Sequence, residues 1–291
     1  MEYYRPESFA EALPLLSEFG DSATVIAGGT DLLVDMKFRG FRPACLININ
    51  SLRDLSYVEE NGEGLRIGAL TSIQALLKNK LLQEEYTGIA DAARQFASIQ
   101  IRNLATVGGN LGRASPCGEM APPLLTLDAT VVVASEGKEK EVELTDFFLG
   151  PGQSILQPDE LLREIRIKPL PAHTGSSYWR LSYRDVLDLA IVGVASRVTL
   201  DGDNRVAEAR VALGAVAPKP IRAEKTEALL KGQLLTEDLI VEAGKMAAQE
   251  ATPISDQRSS ANYRTNMTAV LTKRSLRSAA AAATKGEGEG E

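Results

Sequence analysis

The sequence predicts an α+β protein, and three observations carry that expectation. Helix-spaced and strand-like apolar patterns alternate over the first fifty residues, hairpin signals recur at two distant points, and helical stretches close the chain. In a chain of 291 residues this fits one large or two modest domains with a sizeable core.

Ser8 followed three residues later by Glu11 is a capping box, and Phe9, Ala12, Leu13, Leu16 and Phe19 then recur at helical spacing until Gly20. Residues 23–27 read as a short buried strand broken by Gly28 and Gly29. Thr30 is placed to cap a helix over 31–38, whose first residue, Asp31, suits a helix start. A second strand over 45–49 completes a first unit, residues 1–56. A second unit, 57–170, begins with a hairpin around Asn61-Gly62-Glu63-Gly64. Thr71 is placed to cap the next helix, 89–97 is helical, 104–123 reads as irregular, and 129–134 is a clear strand. Residues 161–167 alternate only loosely, as a half-buried strand. A linker rich in Pro169 and Pro171 leads to a third unit, 177–277. There, apolar runs over 189–200 and 206–216 flank Asp201-Gly202-Asp203-Asn204, and helices follow over 222–230, 237–249 and 263–277. The tail, 278–291, is low in complexity and expected to be disordered, above all over its Gly/Glu part.

Composition excludes several functions. With 32 Lys+Arg against 39 Asp+Glu the net charge is −7, the wrong sign for nucleic-acid binding. One His and two Cys cannot build a Cys₄ or Cys₂His₂ zinc site or the four thiolates of an iron–sulfur cluster, so no metal site is expected. Cys45 and Cys117 read as buried thiols of a reducing cytoplasm. No basic, apolar leader opens the chain and no 18-residue apolar run occurs, so a cytoplasmic protein without a membrane span is expected. With a single His, in the Pro-rich linker, no Ser/His/Asp arrangement is expected and no catalytic residue is assigned.

Two glycine-rich segments stand out. In VIAGGTDLLVDMK (25–37), a strand feeds paired glycines and then a helix start, a geometry in which backbone N–H groups hold an anion. Alone it reads equally as a plain structural turn, and it is neither a GxGxxG fingerprint nor a P-loop. In QIRNLATVGGNLGRASPCGEMAPP (100–123), small and polar residues concentrate in a stretch too long for an ordinary loop. Two such segments fit a ligand with an extended, phosphate-bearing body, such as a dinucleotide.

Together these segments resemble the FAD-binding subunit of the molybdenum hydroxylases, the xanthine dehydrogenase and carbon monoxide dehydrogenase family. The likeness extends through PDELLREIRI (158–167) and SYWRLSYRDVLDLAIVGVA (177–195) to about residue 275. The resemblance implies a two-part FAD-binding domain of the PCMH type, followed by a flavoprotein C-terminal domain of sheet and helices. It implies that Val25, Ile26, Ala27, Gly28, Gly29, Thr30, Asp31 and Leu32 line a pyrophosphate-binding turn. Thr106, Val107, Gly108, Gly109 and Asn110 would make a second contact, toward the pyrophosphate and ribityl chain. Phe96 matches an aromatic position beside the nucleotide and reads equally as a core residue of its helix, and Leu162 matches an apolar position on the adenine side. Two positions depart from the family pattern. Glu119 stands where Asp usually meets the ribityl hydroxyls, and Arg180 where Lys usually lies near the flavin. Arg102 and Arg113 read as surface charges. The resemblance further implies electron transfer from [2Fe–2S] clusters of a small subunit, beside a large molybdenum-cofactor subunit, through FAD to NAD⁺ or another acceptor, in an (αβγ)₂ assembly. Two lone cysteines argue against the branch carrying an additional cluster in this subunit. A stand-alone flavin oxidoreductase of the same fold class and an assembly module without FAD are the alternative readings.

Overall fold

The computed structural model describes residues 1–284 and has three α+β units in chain order. The first contains β1 (Glu2–Tyr4), α1 (Phe9–Phe19), β2 (Ala23–Ile26), α2 (Leu32–Phe38) and β3 (Cys45–Asn48), with a parallel sheet of order β1-β3-β2. The Ser8 side chain accepts the Glu11 amide at the start of α1, while the Glu11 carboxylate takes the amide of Glu7 rather than that of Ser8. The central strand β3 is the most apolar because α1 covers it, burying Ala12, Leu13 and Leu16 with Cys45 and Ile47. α2 buries no residue, and Asp31 rather than Thr30 precedes it, with no side-chain cap bond.

The second unit centres on an antiparallel sheet. β4 (Val58–Asn61), β5 (Gly64–Gly68), β6 (Thr130–Ser135) and β7 (Lys138–Glu143) flank a central strand, and a short helix-and-hairpin excursion precedes it. The helices before β6 are α3 (Ile73–Lys78), α4 (Lys80–Glu84), α5 (Thr87–Gln95), α6 (Ile99–Leu104), α7 (Val107–Gly112) and α8 (Ala121–Thr126). The excursion comprises α9 (Leu144–Phe147), β8 (Phe148–Gly150) and β9 (Gln153–Ser154), and the central strand is β10 (Leu161–Ile167), in the order β4-β5-β10-β6-β7. Central placement and a register shift between Leu162 and Glu164 explain why 161–167 alternates so poorly. The fully buried Glu164 is held by Arg66 at 2.7 Å, by Arg166 at 2.6 Å and by the Tyr57 hydroxyl.

Three local expectations are corrected here. The stretch 104–123 is not irregular throughout, because Thr106 caps α7 and Pro122 and Pro123 sit in the first turn of α8, where a missing N–H is harmless. Ser72, not Thr71, caps α3; the Thr71 hydroxyl instead accepts the Tyr57 amide at 3.0 Å and donates to the Tyr57 carbonyl at 2.8 Å. Cys45 is buried, but Cys117 is only partly so.

The third unit is an antiparallel sheet of β11 (Thr174–Leu181), β12 (Val192–Leu200), β13 (Val206–Gly214) and β14 (Ile221–Arg222), followed by α10 (Glu224–Leu230), α11 (Glu237–Glu250) and α12 (Ala261–Thr284). Every residue of β12 is buried because α12 packs on one side and α8 on the other, so the strand is largely apolar, with its one charged residue, Arg197, paired to Asp128 and Glu208. Tyr178, Ala195 and Ala212 of this sheet belong to the core of the second unit, which ties the two together. The expected disordered tail is corrected over 278–284, which continue α12 and bury Ala279 and Ala283; the remainder, 285–291, lies outside the described residues.

Candidate cofactor-binding site

The first glycine segment leaves β2 at Ile26 and turns before α2; as an edge strand, β2 is half-buried rather than buried as expected. Gly29 adopts φ +70, a left-handed conformation that glycine takes at no steric cost. A Cβ on Gly28 would stand 1.9 Å from the Leu104 carbonyl oxygen, so the two glycine-rich segments touch backbone to backbone. No acceptor among the described residues takes the amide N–H of Gly28, Gly29, Thr30 or Asp31. The second segment is anchored differently. The Thr106 hydroxyl accepts the Gly109 amide at 3.1 Å, Val107 donates to the Thr71 carbonyl at 3.0 Å and Gly108 to that of Ala69 at 2.8 Å. Its amides are therefore taken by the protein, and it offers the side chains of Thr106 and Asn110 instead. The Asn110 carbonyl oxygen accepts the Met120 amide at 3.3 Å, which leaves its NH₂ free to donate.

Between the two segments lies a cavity of about 490 Å³, within the range of cofactor sites, with Leu156 and the start of β10 as its third side. It brings together every candidate residue except Val107, Glu119 and Arg180. Val107 is fully buried in the core beneath the site. Phe96 packs in the core and also lines the cavity.

The chain matches the FAD binding domain in molybdopterin dehydrogenase over residues 1–171 and the CO dehydrogenase flavoprotein C-terminal domain over 177–279. It is 32% identical to the glyceraldehyde dehydrogenase medium chain of Sulfolobus acidocaldarius, over 96% of this chain and 98% of that one. It is 31% identical to the xanthine dehydrogenase FAD-binding subunit of Escherichia coli, over 97% and 96%. The carbon monoxide dehydrogenase structure from Hydrogenophaga pseudoflava superposes with a TM-score of 0.92 at 33% identity, over 97% of this chain and 98% of that one. The chain belongs to the FAD-binding subunits of the molybdenum hydroxylases. Its cofactor is FAD, and it is a subunit of an oxidoreductase.

In this flavoprotein subunit the two departures from the family pattern meet each other. Arg180, at the end of β11, donates to Glu119 at 3.2 Å, to the Asp188 carbonyl at 2.8 Å and to the Asp185 carbonyl at 3.0 Å. Both side chains are buried, outside the cavity lining. Burial pushes the Glu119 carboxyl up to about 7 even though Arg180 pulls it down. The longer Glu and the forked guanidinium thus brace the 182–190 loop from beneath.

Several lining residues lie outside the resemblance. Asp35 lies on α2 one helical turn after Asp31, the residue that precedes the helix, a spacing that places them on one face. Arg113 caps the end of α7 and carried a signal only as a charge beside the glycines. Phe41 and Leu156 come from connecting loops, and no local pattern marks them. Among the described residues no helix is long and apolar enough to cross a membrane.

Proposed function

We propose that the chain is the electron-transfer subunit of a multi-subunit molybdenum hydroxylase, relaying electrons from [2Fe–2S] clusters of a small partner subunit to NAD⁺ or another acceptor. A large partner subunit carries the molybdenum cofactor, and the assembly is (αβγ)₂. FAD, when bound, supplies the redox chemistry, and the polypeptide supplies binding, orientation and electrostatics.

The observation that carries this reading is the cavity between the two glycine segments, with four unpartnered amides on one wall. Those of Gly28, Gly29, Thr30 and Asp31 form a cluster of donors suited to a pyrophosphate. Val25, Ile26, Ala27 and Leu32 exclude water beside them. Thr106 and Asn110 offer polar side chains from the opposite wall to a ribityl chain, and Gly108 and Gly109 let that wall pack closely on Ala69 and the Thr106 hydroxyl. Phe96 and Leu162 give the apolar surfaces that an adenine needs. Val107 supports the second segment from the core, and Glu119 and Arg180 act through the 182–190 loop rather than on the cofactor.

The test is the absorption spectrum of the purified protein and rapid-mixing reduction of the complex. A flavin spectrum, with flavin reduction following that of the clusters, is expected. Protein that stays colourless with its partners present would overturn the reading, and substrate-dependent flavin bleaching in the isolated chain would favour a stand-alone oxidoreductase.

A further inference from the structure

Asp31, Asp35, Glu160 and Arg113 are the charged side chains among the described residues that line the cavity, and Arg113 is the single cation. A pyrophosphate carries two negative charges, so this wall is short of positive charge. Glu160 is already answered by Lys140 at 2.5 Å. Arg113 is engaged across the opening: from the end of α7 its Nη2 meets Asp35 Oδ2 on α2 at 3.0 Å, and its Nε lies 4.0 Å from Asp31 Oδ1. The ion pair thus joins the walls contributed by the first and second units.

Asp35 does not depend on Arg113 alone. Its other oxygen, Oδ1, is held by Arg39 Nη1 at 2.9 Å, one turn further along the same segment. Arg113 can leave without stranding a carboxylate. Its side chain is 42% exposed, and ion pairs at that exposure are weak and sensitive to salt. A pyrophosphate, with one charge on each of its two phosphoryl groups, offers the same forked guanidinium a partner in place of a carboxylate that has a second cation.

We propose that Arg113 is an exchangeable latch, paired with Asp35 across the opening and able to turn from that carboxylate onto the pyrophosphate of the cofactor. The inference rests on the FAD reading above and adds to it a residue that sets preference for a phosphate-bearing flavin.

The test is a titration of the full-length protein, purified with its partner chains and stripped of cofactor, with FAD and separately with riboflavin, which has no phosphate. Arg113→Gln should weaken FAD binding roughly tenfold to a hundredfold, the worth of one charge-assisted hydrogen bond, and reduce its salt dependence. Riboflavin binding should be unchanged, and Arg113→Lys should recover part of the loss. Asp35→Asn provides the opposing sign. It frees the latch and removes a negative charge, so FAD should bind more tightly, whereas a purely structural ion pair predicts weaker binding from both substitutions. Equal FAD affinity in Arg113→Gln and unsubstituted protein, equal losses for FAD and riboflavin, or weakening by Asp35→Asn would overturn the latch while leaving the FAD reading intact. Failure of the unsubstituted protein to bind FAD would overturn both.

Discussion

A methyl group on Gly28 has nowhere to go, since the Leu104 carbonyl oxygen would lie 1.9 Å from it and the carbonyl carbon 2.6 Å. Gly28→Ala must push the two walls of the cavity apart. It should cost about 1–3 kcal/mol of stability and abolish stoichiometric flavin, as read by thermal melting and by the ratio of flavin absorbance to protein. Gly109→Ala meets only the Thr106 hydroxyl, at 2.9 Å, and should be milder on both measures. Glu119 makes the second prediction at this scale. Burial raises its folded-state pKa from 4.5 to about 7, so between those values the folded chain keeps a proton that the unfolded chain has released. Its stabilising contribution is complete below about pH 4.5 and is lost as pH rises through 7. Urea unfolding at pH 5 and pH 7.5 should show a smaller decline in Glu119→Gln than in the unsubstituted protein. An equal decline in both would contradict the assignment.

Among the elements, helix starts expose both the reach and the limit of local reading. Ser8 and Thr106 cap their helices, accepting amides three residues on, because that bond needs nothing beyond the turn itself. The sequence placed the cap of α3 at Thr71, but Tyr57, fourteen residues away, occupies that hydroxyl through both its amide and its carbonyl, and Ser72 caps the helix instead. Ser72→Ala should therefore cost about 1 kcal/mol in chemical denaturation, the usual worth of a cap, while leaving the Tyr57 contacts in place. The alanine run after 277 illustrates the same limit at a helix end. Its composition suits disorder and helix alike, and the helix forms where Ala279 and Ala283 pack against the third unit's sheet. Ending the chain at 277 should lower the melting temperature by exposing that packing surface, measured against a chain ending at 284.

The whole molecule is joined by a charge cluster as well as by shared core. Asp128, between α8 and β6, receives Arg197 at 2.9 Å, Arg210 at 3.0 Å and Arg222 at 2.7 Å, all three from the third unit's sheet. Glu208 also contacts Arg197, at 2.6 Å. Asp128→Asn keeps a residue tolerant of the positive φ found there, +48, while removing the charge. It should cost about 1–3 kcal/mol, less than for a fully buried pair, because Asp128 is 38% exposed and Glu208 remains beside Arg197. Differential scanning calorimetry should show a broadened or divided transition as the units uncouple; a simple shift of one sharp transition would place the coupling in the apolar core instead.

The amino-acid sequence by itself determined the features that local chemistry controls: the caps at Ser8 and Thr106, the hairpin turns, the two glycine segments, the apolar run of β6, and a composition poor in His and Cys. These depend on residues within a few positions of one another, so their energetics are nearly the same in any fold. Only the tertiary structure decided that Gly28 abuts Leu104, that Arg113 spans the cavity to Asp35, and that Glu119 pairs with Arg180 across 61 positions of chain. Those contacts form because closing long segments of chain costs entropy that packed sheets and helices must repay together. No short window of sequence records which distant partner that packing selects.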